Sequence, residues 1–252
     1  MATRPARGGF WAKAHHLDKM SFRELVVAYA QYPAILLYLG LAAIGAWLAI
    51  THMAPLPRML AAIAAAILLF PLAWYGLHRF VLHSRWMWRH RLLAATWKRI
   101  HYDHHQDPNH LEVLFGSPGN VIPTVAAVTI PIGWAIGGPG AAAAAFATGM
   151  ITTCVNEFFH CIQHLSYKPK NRWAAAIKAR HMAHHFHDET GNFGITNFGW
   201  DKLFGSFYER ADRPAKSATV FNLGYTEDVA RRWPHLARLS GGVADGHPRR
   251  RG

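Results

Sequence analysis

Three long stretches of this chain contain no Asp, Glu, Lys or Arg: residues 25–57, 59–77 and 120–156. Runs of that length are hard to place in a soluble domain, whereas the hydrocarbon core of a bilayer is about 30 Å thick and is crossed by about 20 apolar helical residues. Helix breakers divide the runs into four helices. The first covers 34–53 after Pro33, and the second covers 59–77 after the turn Pro55-Leu56-Pro57. The third and fourth, 121–136 and 141–159, flank Gly137-Gly138-Pro139-Gly140. The expected fold class is all-α integral membrane, with four transmembrane helices in two tight hairpins. Because the second hairpin is short, Ala-rich and interrupted by Pro123 and Pro131, re-entry without full crossing is its alternative.

The charges give the orientation. Lys and Arg cluster before the first helix, between Arg79 and Arg99, and after His164, while the first turn holds only Arg58 and the second none. Positive residues stay on the cytoplasmic side, so both turns face away from it. The expectation is a single domain over 1–252: an interfacial segment 1–33, membrane helices with a middle cytosolic loop over 34–164, and a cytosolic helical cap and tail over 165–252. Basic, acid-poor residues 1–16 resemble a short leader, and Pro248-Arg249-Arg250-Arg251 a tail that tolerates anionic lipid. The net charge of +13 would suit nucleic acid, but 51% hydrophobic residues place the basic groups in the loops of a membrane protein instead. Frequent Ala and Arg point to a GC-rich bacterium and its inner membrane. Cys154 and Cys161 lie about 10 Å apart on a helix, too far for a disulfide.

The chain has 18 histidines, and thirteen fall within residues 78–110 and 160–187, each window directly after a hairpin returns to the cytoplasmic side. Four spaced sets stand out: His78 and His83; His101, His104 and His105; His160 and His164; His181, His184 and His185. On a helix, positions i, i+3 and i+4 share a face, so the last three sets each aim imidazoles at a common point. His78 and His83 are about 140° apart on an α-helix, which assigns them to different metals or to either side of a helix end. Ten neutral imidazoles gathered beside a bilayer are costly unless ligated. Zinc, copper, iron and nickel all accept imidazole. Two ions sharing ten ligands take five each and leave a sixth octahedral position for oxygen or water.

These sets read HRFVLH, HYDHH, HCIQH and HMAHH, followed by FGITNFGWDKLFGSF. In that order they resemble the fatty acid hydroxylase superfamily, most closely its fatty acid 2-hydroxylase branch, over about residues 60–210. The resemblance implies a membrane di-iron monooxygenase with two Fe ions on the ten histidines and O2 as cosubstrate, inserting oxygen into an acyl C–H bond of a fatty acid or membrane lipid. Zinc can replace iron in a purified sample. No haem-binding HPGG, Gly-rich dinucleotide fingerprint or cysteine cluster set occurs in the sequence. Electrons are therefore expected from a separate donor, a cytochrome b5-like protein or a ferredoxin with its reductase. Where family members tend to carry Tyr-Asp before the third set, this chain has Asn156-Glu157. Glu157, one turn before His160, is the candidate catalytic residue, able to orient a ligand imidazole.

Other polar residues are weaker candidates. His90, His110 and His187 read as surface histidines, and Asp103, Asp107, Asp188 and Asp201 as loop or cap residues. Trp200 and its aromatic neighbours read as an interface belt. Rival activities within the superfamily are a desaturase and a sterol, carotenoid or polar-lipid hydroxylase. The rival outside enzymes is a metal transporter or buffer, which would need polar residues along a path at mid-membrane.

Overall fold

The structure, a computed structural model, describes residues 15–240 and contains no β-strand among them. Leader residues 1–14 and the arginine tail at 248–251 lie outside the described residues. Helix α1 (Phe22–Ala30) opens with a capping box: the Ser21 hydroxyl accepts the Glu24 N–H, and Glu24 Oε2 accepts the Ser21 N–H at 2.8 Å. Helix α2 (Pro33–Thr51) has Pro33 in its first turn, where a missing N–H costs nothing. Helix α3 (Leu56–Leu77) follows, and α4 (Pro118–His164) supplies the third apolar element.

Three segments are long and apolar enough to cross a membrane: Pro33–Thr51, Leu56–Leu82 and Leu111–His164. Large apolar side chains point outward from them, with Trp47 62% and Leu68 72% exposed. Such surfaces suit lipid rather than water. The expected third and fourth helices are the two arms of α4, 118–136 and 139–164. Between them the backbone leaves helical geometry at Gly137 and Gly138, the latter at φ 73°, where a side chain would be strained. The arms run antiparallel: the Cα of Gly149 faces the side chains of Val125 and Thr129. Pro123 and Pro131 are absorbed inside the first arm.

The first expected hairpin differs from the sequence expectation. Helices α2 and α3 are joined by a short turn, but both pack chiefly against α4 rather than on each other. Small residues explain it. Gly45 of α2 abuts Ala143 and Ala147, while Ala62 and Ala66 of α3 cluster with Ala141 and Ala145. Without a hydrophobic force between helices in lipid, such small faces decide which backbones approach closely. At the end of the bundle a Cβ on Gly140 would stand 2.0 Å from the His52 carbonyl oxygen. Gly140→Ala is therefore expected to destabilise the protein by about 1–3 kcal/mol, read as a lowered thermal midpoint in detergent. An unchanged midpoint would show that this helix contact is dispensable.

Beyond α4, helix α5 (Arg172–Phe186) is capped by Asn171, whose side chain accepts the Ala174 N–H at 3.0 Å. An apolar cluster of Trp88, Trp97, Tyr102, Tyr225 and Leu236 fastens the segment after α3 to the last helices of the described chain. Each such buried side chain contributes about 1.5–3 kcal/mol. This cluster holds the middle loop against the C-terminal region, and the histidines of both meet between them.

Candidate metal centre

Ten imidazoles converge into two groups. His78, His83, His101, His105 and His184 form one, and His104, His160, His164, His181 and His185 the other; within each group the ligand nitrogens lie within 4.8 Å of one another. Nine of the ten are buried, and His83 is partly so.

The assignment of His78 and His83 to different metals is corrected: both stand in the first group. The reason is local. Directly after α3 the chain forms a π-turn, His78–Leu82, in which the His83 N–H donates to the His78 carbonyl at 3.1 Å. An i→i+5 turn brings residues five apart onto one face, which an α-helix cannot do. The two rings stand 5.0 Å apart. The triplets are corrected as well, for neither aims at one point. His101 and His105 belong to the first group and His104 to the second; His184 belongs to the first and His181 and His185 to the second. Successive helical residues are about 100° apart, so a helix wedged between two groups gives neighbouring residues to opposite sides. His160 and His164, one turn apart at the end of α4, share a group as their spacing implied.

The donor set fits two metal ions. His78 donates from Nδ1 to the Phe193 carbonyl at 2.5 Å, His184 to that of Gly191 at 2.7 Å, and His105 to that of Val220 at 3.1 Å. In His105 and His184 this leaves Nε2 buried without a partner, and in His185 neither ring nitrogen has one. A buried polar group so stranded costs about 1–3 kcal/mol; ligation removes that cost. Within the groups, Nε2 atoms face each other at 2.7 Å (His83 and His101, first group), 3.1 Å (His104 and His160) and 3.0 Å (His164 and His181, both second group). Nitrogens bound about 2.1 Å from one ion at right angles stand about 3 Å apart. Fixing one ring nitrogen by a carbonyl so that the other ligates is the usual support of a metal-bound histidine.

Electrostatics favour the same use. Burial first, and the neighbouring imidazoles second, hold His83, His101, His104, His181 and His185 well below the ordinary histidine range. They are neutral at pH 7, so an ion entering the groups displaces no protons from these rings.

Glu157 is buried, and its Oε2 lies 4.0 Å from His160 Nδ1, near the ligand but beyond hydrogen-bond range. His110 pairs with Glu112 at 2.9 Å, and His187 contacts the Pro214 carbonyl, both outside the two groups. Asp103 binds Lys98 at 2.6 Å, and Asp188 accepts from Thr190. Glu157, Asp103 and Asp188 hold none of the ten imidazoles by a hydrogen bond; backbone carbonyls hold those of His78, His105 and His184. No side chain marks those carbonyls in the sequence, since every residue type carries one.

Above the histidines lies a cavity of about 350 Å³ between α3 and the first arm of α4. Phe70, Ala73 and Leu77 wall one side and Val121, Val125 and Val128 the other; its base includes His78 and His101 of the first group and His104, His160, His181 and His185 of the second. Trp200 does not line it; it stacks on Phe204.

A model of the fatty acid hydroxylase family matches residues 63–206, a span that holds all ten histidines. This chain belongs to the fatty acid hydroxylase family. The dihydroceramide fatty acyl 2-hydroxylase FAH1 of Arabidopsis thaliana is 30% identical over 60% of this chain and 62% of its own length. The ceramide very long chain fatty acid hydroxylase SCS7 of Saccharomyces cerevisiae is 28% identical over 53% of this chain and 34% of its own. The chain thus spans less than two thirds of either relative. Among solved structures, the visible hydroxylase domain of full-length scs7p superposes with a TM-score of 0.57 at 25% identity, covering 80% of this chain and 71% of that one. The fatty acid hydroxylase family resemblance carried by the four histidine sets is thereby established.

Proposed function

We propose that this chain is an O2-dependent di-iron monooxygenase that hydroxylates the acyl chain of a fatty acid or membrane lipid at C2. The observation that carries this reading is the apolar cavity whose base is formed by histidines of both groups. Two iron ions held by those groups would supply the activation of O2 and the insertion of one oxygen atom into a C–H bond. The chain's own residues do the rest. Aliphatic side chains of α3 and α4 take an acyl chain from the bilayer, exclude water and end its travel at the histidines. The carbonyls of Gly191, Phe193 and Val220 hold three of the rings in orientation. Glu157 is buried one turn before His160, its Oε2 4.0 Å from that ring's Nδ1. The naming of both curated relatives for acyl hydroxylation, and of one for position 2, supports the substrate class and the carbon.

Both arms of α4 are long enough for four crossings, at about 28 Å and 39 Å. With four crossings, the segments on either side of α4 return to one face, and the flanking Lys and Arg make that face cytoplasmic. Electrons come from a separate donor at that face.

The test is expression of the chain in a bacterial host free of hydroxylated lipids, with bound metal counted and whole-lipid mass spectra compared with and without oxygen. The expected result is two ions per chain and oxygen-dependent lipids heavier by one oxygen atom, placed at C2 by fragmentation. Products lighter by two hydrogens would make it a desaturase, and unchanged lipids from a fully metallated protein would overturn the reading.

A further inference from the structure

Asp201 touches no histidine, yet two rings of one group hang from the loop it organises. It lies in the short helix Gly199–Leu203 and is fully buried. Its Oδ1 accepts the Phe193 N–H at 2.8 Å and the Ser206 hydroxyl at 2.8 Å, and its Oδ2 accepts the Gly194 N–H at 2.9 Å. Its own carbonyl accepts the N–H groups of Ser206 and Phe207. The Ser206 hydroxyl also meets the Tyr75 hydroxyl at 2.9 Å, and Arg79 donates to Tyr75 and to the Phe204 carbonyl. One buried carboxylate thereby joins α3 to the loop 191–194.

Among the described residues, the contacts of loop 191–194 with the ten histidines fall in the first group. The Phe193 carbonyl accepts from His78 and the Gly191 carbonyl from His184, and the Phe193 ring packs against His78, His83 and His184 at 5.1–5.6 Å. The loop is closely packed at Gly194, where a Cβ would meet the Asn197 carbonyl oxygen at 2.1 Å. No such contact reaches His104, His160, His164, His181 or His185 from Phe193.

We propose that Asp201 is the positioning residue of the first ion alone: it sets the affinity of His78, His83, His101, His105 and His184 for metal and leaves the second group untouched. This rests on the reading of the two groups as metal sites. The Asp201→Asn change keeps the shape but removes one acceptor and turns an N–H2 group toward donors that need an oxygen. Supporting hydrogen bonds around metal sites typically control affinity by about 10–100-fold.

The experiment uses the full chain in detergent, stripped and titrated with Zn²⁺ against a chelator of known affinity, with Co²⁺ spectra as a second readout. Wild type is expected to bind two ions. D201N is expected to bind one with unchanged affinity and the other about 10–100-fold more weakly, with only part of the Co²⁺ spectrum altered. Should D201N fail to fold, Ser206→Ala, which removes a single hydrogen bond to the carboxylate, is expected to weaken the same ion and spare the other. Equal weakening of both ions, or two ions at wild-type affinity in the variant that folds, would overturn the proposal. Fewer than two ions in wild type would instead defeat the two-site reading itself.

Discussion

His185→Ala is expected to remove one bound ion and His184→Ala the other, although the two residues are neighbours in the chain. His185 belongs with His104, His160, His164 and His181, and His184 with His78, His83, His101 and His105. Both side chains are fully buried, so alanine removes an imidazole from a closed site. Changes to residues that merely support a metal ligand cost about 10–100-fold in affinity or activity, and loss of the ligand itself is expected to exceed about 100-fold in turnover. Elemental analysis of the two purified variants, with product measured in parallel, checks this. A variant that keeps both ions and full turnover would show that its imidazole is not a ligand.

A second large effect is expected from Val128→Trp. Val128 lies on the first arm of α4, facing the cavity that Phe70, Ala73 and Leu77 wall from α3. An indole there fills the cavity proposed to take the acyl chain and leaves all ten histidines intact, so both ions should remain bound. Small displacements of a substrate cost about 100-fold, and turnover of long acyl chains is expected to fall by at least that much. Shorter chains should be affected less. Undiminished hydroxylation of long chains in this variant would place the substrate path elsewhere.

The uncharged runs were read directly as membrane elements, because the energy of burying a charge in hydrocarbon leaves little freedom in sequence. The turn at Gly137-Gly138 was legible for a similar reason: positive φ at Gly138 needs a residue without a Cβ. The convergence of the ten histidines was legible because so many imidazoles at chelating spacings in so apolar a setting point to a shared site.

Their sorting was not legible. Placing His78 and His83 in one group depends on a π-turn, which hydrogen bonding and packing create and for which the residues His78–Leu82 carry no recognisable code. Whether His104 joins His101 or His160 depends on which way its helix is rotated between two neighbours. The carbonyls of Gly191, Phe193 and Val220 that fix the rings are backbone atoms, invisible in a list of side chains. The packing of α2 and α3 on α4 instead of on each other follows from matching small residues 80 or more positions apart in the chain, such as Gly45 and Ala147 or Ala62 and Ala145.

The sequence by itself determined the solvent of each segment and the chemical kind of the site, because hydrophobic run length and imidazole content are properties of composition and spacing alone. The tertiary structure decided which five histidines meet in each group, which carbonyls hold three of them and where an apolar cavity opens onto them. Those are matters of rotation and distance between elements far apart in the chain, and only packing fixes them.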